Sequence, residues 1–402
     1  MMTRSVRGGY RQAVAKKSFV LPILRDDTQI GDPSIHQAVT SASSMPIKLI
    51  HDAFRNARVL GTDRQAARVA MGWTSSQTLL WRNGMINTTL KAAVATLVGF
   101  TMLGGVAVAG PKSKSEKDRF EIQILSFNDY HGHLKTDAVG FRETRGGGEY
   151  LAAKLKELRS GKKYSITVAA GDLIGGTPAF SGLFRDEPSV ESLNVMGLDL
   201  SGVGNHEFDE GVTELLRMQN GGCHPDDGCF FPETPYAGAD FSWLAANVIS
   251  EVDGESTPLP AYEIRKFRGV KVAFIGMTLE ATDTLVAAAG IRGWDFTDEV
   301  ETANNLVPIL KGQGVEAIVV LLHEGGSQDP APGDVNACNA FSGPITAINA
   351  GLDPEIDLLI TGHTHLPYNC VLPDSAGQPR IVTSAYSYGR VVTELNLSLI
   401  HI

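Results

Sequence analysis

Asp129, His131, Asp172, Asn205, His323, His363 and His365 are two carboxylates, an amide and four imidazoles, and each stands where an apolar run stops. FEIQILSFND reaches Asp129 with His131 two residues on, and VAAGD reaches Asp172. LDLSGVGNHEFD reaches Asn205 and His206, VEAIVVLLHEGG reaches His323, and IDLLITGHTH reaches His363 and His365. A set of imidazole, carboxylate and amide without thiolate suits Zn²⁺, Mn²⁺ or Fe better than a soft-metal or an all-oxygen calcium site. One carboxylate can bridge two ions about 3.5 to 4 Å apart, the spacing of two-metal hydrolytic sites, and Asp172 in the middle of the set is the natural bridge. Asp129 with His131, and His363 with His365, lie at i and i+2, so in extended chain each pair points to one side and can chelate. His206 stands three residues before Asp209, whose carboxylate would hold the ring in one tautomer and keep it protonated as a general acid. His133 and His224 lack such a setting and read as structural.

Strand ends of this kind describe one site, because open α/β sheets bind ligands outside the carboxyl ends of their strands. Helical segments separate the runs. GGEYLAAKLKELRSG puts Leu151, Leu155 and Leu158 on one face with Gly161 as a stop, and EPSVESLNVMG spaces Val190, Leu193 and Met196 likewise. This alternation predicts a parallel sheet covered by helices. Further runs, WLAANVI, VKVAFIGMT, RIVTSAYS and RVVTELNL, read as strands sufficient for a second sheet, with DEVETANNLVPILKG at 298 to 312 as an intervening helix.

Charge divides the chain. Residues 1–84 hold twelve Lys or Arg against five Asp or Glu, whereas residues 110–402 hold 22 basic against 40 acidic residues. At the join, MINTTLKAAVATLVGFTMLGGVAVAG has the form of a secretory signal peptide over 85–109, with one early charge at Lys91, an uncharged apolar stretch and a small-x-small end at Ala107 to Ala109. The expected organisation is therefore an extension at 1–84 outside the native reading frame or unstructured, the signal peptide, a charged linker at 110–119 and a catalytic domain at 120–396. The rival is a cytoplasmic tail followed by a signal anchor, since the apolar stretch is nearly long enough to span a bilayer. Signal cleavage implies no stable membrane insertion and a secreted, periplasmic or cell-surface protein. The acidic mature part argues against polymeric nucleic acid as a partner, because it repels a phosphate backbone.

Export fits four cysteines, an even number, none of them at a strand end. In an oxidising compartment we expect Cys223 paired with Cys229 and Cys338 with Cys370, the alternative being four free thiols. The terminal LSLIHI, 397–402, follows a strand with no turn signal and reads as an artefactual tail, with a further domain expected beyond it in the natural protein.

NDYHGHL, GNHEFD and TGHTHLP, together with GD at Asp172 and His323 in LLHEGG, resemble the calcineurin-like metallophosphoesterases, and specifically the secreted 5'-nucleotidase branch with its UDP-sugar hydrolases and 2',3'-cyclic phosphodiesterases. The resemblance implies a four-layer α/β/β/α sandwich with two divalent ions. By that pattern Asp129, His131, Asp172 and His365 hold one ion, while Asp172, Asn205, His323 and His363 hold the other. His206 and Asp209 form the catalytic dyad, and a metal-bridging hydroxide attacks the phosphorus of a small nucleotide. Cyclic-nucleotide, UDP-sugar or thiosulfate-ester hydrolysis are alternatives within enzymes. A metal-binding fragment without turnover is the alternative outside them, because family members carry a C-terminal nucleotide-binding domain.

Overall fold

The computed structural model describes residues 14–22, 119–135 and 146–400. The expected signal peptide at 85–109, most of 1–84 and most of the linker lie outside them. The strands are β1 (Val14–Pro22), β2 (Arg119–Phe127), β3 (Ser165–Ala170), β4 (Leu200–Gly202), β5 (Ser242–Leu244), β6 (Val248–Ser250), β7 (Tyr262–Phe267), β8 (Val270–Thr278), β9 (Trp294–Phe296), β10 (Ala317–His323), β11 (Leu358–Thr361), β12 (Tyr368–Pro373), β13 (Pro379–Ser384) and β14 (Val391–Ile400). The helices are α1 (Gly148–Arg159), α2 (Ala179–Gly182), α3 (Glu187–Met196), α4 (Val212–Asn220), α5 (Glu299–Gly312) and α6 (Pro344–Gly351).

Two six-stranded sheets form, in the orders β1-β14-β2-β3-β4-β5 and β12-β13-β11-β10-β8-β7, with β6 and β9 as a separate pair. Successive residues of a strand face opposite sides, and because both sides are covered here the apolar runs are continuous rather than alternating. In β2, Ile122 and Ile124 enter a core shared with Val272 and Phe274 of β8 and Val319 and Leu321 of β10. Leu125 and Phe127 of the same strand face Leu151 and Leu155 of α1 and Val190 and Leu193 of α3. Beyond the second sheet, Ile318 and Val320 pack with Ala303 and Val307 of α5 and Ile345 of α6. Helix, sheet, sheet and helix thus make the four-layer α/β/β/α sandwich. Each fully buried Val, Leu, Ile or Phe contributes on the order of 1.5–3 kcal/mol by leaving water.

Helix ends follow the local signals. Asp298 accepts a hydrogen bond from Glu301 N at 2.6 Å and starts α5. Gly197, at φ 69°, closes α3.

Several expectations are corrected. The ligand-bearing strands belong to two sheets, since β2, β3 and β4 lie in one and β10 and β11 in the other. The first sheet is mixed: β2 to β5 run parallel, but β14, the RVVTELNL strand expected in the second sheet, pairs antiparallel with β2. WLAANVI is not one strand; it divides into β5, in the first sheet, and β6. Apart from these corrections, β1 pairs antiparallel with β14 at the sheet edge. β14 continues to Ile400, so residues 397–400 extend the ladder with Leu397 opposite Ile122.

The sheets approach closely where the ligand strands end. A Cβ on Gly202 would stand 2.6 Å from Leu321 O, across the interface. A larger residue there would force the layers apart.

Candidate metal centre and acid–base pair

Each candidate residue lies at or just past a strand end. His323 is the last residue of β10, while Asp129 and His131 follow β2, Asp172 follows β3, Asn205 follows β4, and His363 and His365 follow β11. Asp129, His131, Asp172, His363 and His365 all have positive φ, between 44° and 69°. Non-glycine residues in that region each cost on the order of 1–3 kcal/mol and persist at sites that over-determine them. The extended-chain reasoning for the i, i+2 pairs is therefore corrected: left-handed turns, not pleats, set these side chains. The turn separates His363 from His365, which fall in different groups, while Asp129 and His131 stay together.

Two groups of donors converge. Asp129, His131, Asp172 and His365 offer ligand atoms within 4.8 Å of one another, and so do Asp172, His323 and His363. Asp172 belongs to both. Asn205 joins the second group, its Oδ1 standing 3.1 Å from His363 Nδ1. Asp129, Asp172 and His323 are at most 2% exposed.

The lone pairs point inward. His131 Nδ1 donates to Gly175 O at 2.8 Å and His323 Nδ1 to Ala170 O at 2.7 Å, because a carbonyl can only accept. That leaves each Nε2 as the free donor to a cation, the tautomer a metal-binding imidazole needs. His131 Nε2 lies 3.1 Å from His365 Nε2 and 3.5 Å from Asp172 Oδ2, and His365 Nε2 lies 3.1 Å from Asp129 Oδ1. The buried His323 Nε2 makes an ion-pair contact with Asp172 Oδ2 at 2.9 Å. Apposed nitrogen lone pairs around shared carboxylates fit divalent cations.

Electrostatics agree. Burial opposes ionisation of Asp172, but His323, then His131 and His206, hold its carboxyl well below the usual carboxylate range. Burial lowers His323, but Asp172 and Asp129 override it and push the imidazole up to about 10. For His131 and His363 burial prevails and the pKa falls.

Beside the centre, His206 Nδ1 is 2.7 Å from Asp209 Oδ2, and the backbone N–H of His206 donates to Asp172 Oδ1 at 3.0 Å. The Asp209 hydrogen bond raises the His206 pKa to about 9 against partial burial, with Asp172 adding to the rise. Both residues line a cleft of about 290 Å³ with Gly175, Gly176, Thr177 and Arg185.

Three contributors escaped the sequence reading. Glu207 accepts from Asp172 N and Leu173 N at 2.8 Å each, and also from Gly204 N, so one buried carboxylate ties the GD loop to the GNH loop. Burial and then the charge of Asp172 raise it to about 7. Its position inside GNHEFD was the available signal. Asn128 bonds Asp129 Oδ2 and Tyr386 O through Nδ2 and accepts from Ala385 N through Oδ1. Gly362 is the third: a Cβ there would lie 2.9 Å from His323 Nδ1 and 3.0 Å from Asp129 Oδ2. His224 is structural, as expected, its Nδ1 accepting from the amides of Asp226 and Asp227 in the cysteine loop.

Disulfides join Cys223 to Cys229 and Cys338 to Cys370, the expected pairs. Among the described residues no helix is long and apolar enough to cross a membrane.

A two-sheet sandwich with a shared carboxylate between two donor groups defines a class of metal-dependent phosphoesterases. The sequence profile of calcineurin-like phosphoesterases matches residues 122–367, and the chain belongs to that family. It is 35% identical to the endonuclease YhcR of Bacillus subtilis over 77% of this chain and 25% of that protein. It is 27% identical to the NAD 5'-nucleotidase of Haemophilus influenzae over 76% of this chain and 49% of that protein. The solved NAD nucleotidase NadN of the same organism superposes with a TM-score of 0.54 at 24% identity, over 70% of this chain and 48% of that one, and shares the fold. The chain thus spans between a quarter and half of the length of these relatives.

Proposed function

We propose that the chain is a dinuclear metal-dependent hydrolase of nucleotide phosphoesters, of the 5'-nucleotidase type. The observation that carries this reading is Asp172, common to two convergent donor groups and hydrogen-bonded to the residue that bears the His206 imidazole. In this reading Asp129, His131, Asp172 and His365 hold one ion and Asp172, Asn205, His323 and His363 the other. Divalent ions held by these residues would supply a nucleophilic water at neutral pH and charge neutralisation for the phosphoryl oxygens. His206, protonated through Asp209, hands a proton to the departing oxygen from the wall of the cleft. Glu207 and Asn128 keep the two carboxylates in place, so no reorganisation is needed at the moment of reaction.

The relation to a NAD 5'-nucleotidase supports a nucleotide monoester as substrate, and the relation to an endonuclease supports phosphodiester hydrolysis as the second reading. Phosphate release from 5'-AMP against bis-aryl phosphate cleavage distinguishes them. The signal-peptide form of 85–109 and the two disulfides support action outside the cytoplasm.

The test is phosphate release from 5'-AMP and an aryl phosphate with Mn²⁺, beside Asp172→Ala. Wild-type turnover with none in the variant, which also loses at least one ion, is expected. Full two-ion occupancy and undiminished activity in Asp172→Ala would show that the bridge is misassigned.

A further inference from the structure

Tyr388 has φ 61°, a backbone conformation that a tyrosine adopts only when its surroundings impose it. Here the surroundings are those of the metal centre. Tyr388 N donates to Asp129 O at 2.7 Å, and the Tyr388 carbonyl accepts from Gly147 N at 3.0 Å. The phenol ring lies edge-on to the rings of His131 at 5.7 Å and His365 at 5.2 Å between centroids, and those imidazoles are 5.1 Å from each other. Three rings therefore close a triangle. His133 is stacked on the same phenol at 3.9 Å, and the Arg390 guanidinium lies 4.7 Å from its centroid.

The triangle is one-sided. His131 and His365 both belong to the group around Asp129. His131, His323 and His363 are oriented by hydrogen bonds to Gly175 O, Ala170 O and Asn205 Oδ1, whereas His365 rests on its ring neighbours. An imidazole binds a cation well only when its ring plane is held by a neighbour, and among the described residues the aromatic contacts of the His365 ring are with His131 and Tyr388.

We propose that Tyr388 is a positioning residue for one of the two ions: its ring sets the orientation of His365, and so governs the affinity of the group formed by Asp129, His131, Asp172 and His365. The group formed by Asp172, Asn205, His323 and His363 keeps its own supports and is left unchanged. This inference rests on the two-ion reading above. The phenol hydroxyl has no part in it, so the aromatic face alone is required.

The experiment uses the full chain, stripped of metal and titrated with Mn²⁺, with bound ions counted after equilibrium dialysis and the spin signal recorded by low-temperature electron paramagnetic resonance. Tyr388→Ala removes the ring, Tyr388→Phe keeps it, and Tyr388→Leu fills part of the volume without an aromatic face. The wild type and Tyr388→Phe should take up two ions with a spin-coupled signal. Tyr388→Ala and Tyr388→Leu should hold one ion as before and the other about 10- to 100-fold more weakly, the range for losing a ligand's supporting partner, giving an uncoupled Mn²⁺ signal at subsaturating metal. Circular dichroism of the metal-free variants checks folding, and Tyr388→Leu supplies the answer if Tyr388→Ala fails to fold. Equal loss of both ions, unchanged binding in both ring-less variants, or a Tyr388→Phe variant that behaves like Tyr388→Ala overturns the proposal. Fewer than two ions in the wild type overturns instead the two-ion reading, and this inference with it.

Discussion

Asp209→Ala tests the acid assignment through pH rather than through lost activity alone. The Asp209 hydrogen bond at 2.7 Å is the main reason that His206 titrates at about 9, against an ordinary histidine near 6.5. Removing that carboxylate returns the ring toward its ordinary value. At pH 8 the protonated fraction then falls from about nine-tenths to about 3%, a loss of roughly 30-fold in acid form, whereas at pH 6 it falls by less than about 1.5-fold. Bound cations lower both pKa values together, which moves the window down but preserves the separation. The sign follows from the role: an acid with a raised pKa works below it, so the wild-type rate declines only above the raised value and the variant's declines about 2.5 pH units earlier. The assay is kcat/KM for a simple aryl phosphate from pH 5.5 to 9.5 at saturating Mn²⁺, with metal content checked at each pH. Lost ring orientation adds a loss that is the same at every pH. A loss of equal size at pH 6 and pH 8 would falsify the proposed control of His206 protonation and leave Asp209 with an orienting role only.

Metal uptake at pH 8 should release at least one proton per chain, because the carboxylates of Asp172 and Asp129 hold the metal-free His323 protonated up to about 10 and a ligand must be neutral. Calorimetric titrations in two buffers of different ionisation enthalpy measure it, and buffer-independent heat refutes it. Gly202→Ala should destabilise the fold by about 1–3 kcal/mol, since its Cβ would meet Leu321 O at 2.6 Å between the sheets; an unchanged denaturation midpoint shows that the layers can part freely. Asp357, whose Oδ2 accepts from Ile318 N at 2.9 Å, is raised to about 7 by burial despite that hydrogen bond. An acid raised on folding favours the native state below its unfolded pKa and loses that contribution as pH climbs toward 7. Asp357→Asn should therefore gain stability relative to wild type between pH 5 and pH 8, and parallel urea midpoints at the two pH values would argue against it.

The metal-type residues of this chain could be found without coordinates because each follows a run whose hydrophobicity marks a buried strand. FEIQILSFND and IDLLITGHTH carry both facts in ten residues. Helices α1, α3 and α5 were legible for the same reason, their apolar spacing matching the helical period and their ends marked by Asp298 and Gly197. What a run of apolar residues does not encode is its partner. A strand buried on both faces looks the same in either sheet, so RVVTELNL could be recognised as β14 but not assigned to the edge of β2.

The type and order of the donors and the absence of thiolate among them were properties of the sequence by itself, since they depend on chemistry and local spacing. Tertiary structure decided the local geometry by which the donors converge, which spacing along the chain does not give. His363 and His365 are two residues apart, yet left-handed turns send them to different groups, while His131 and His365 meet across the sandwich at 3.1 Å. Glu207, Asn128 and Tyr388 belong to that second kind of information. Their roles lie in hydrogen bonds and ring contacts between segments far apart in the chain, which exist only once the strands have paired.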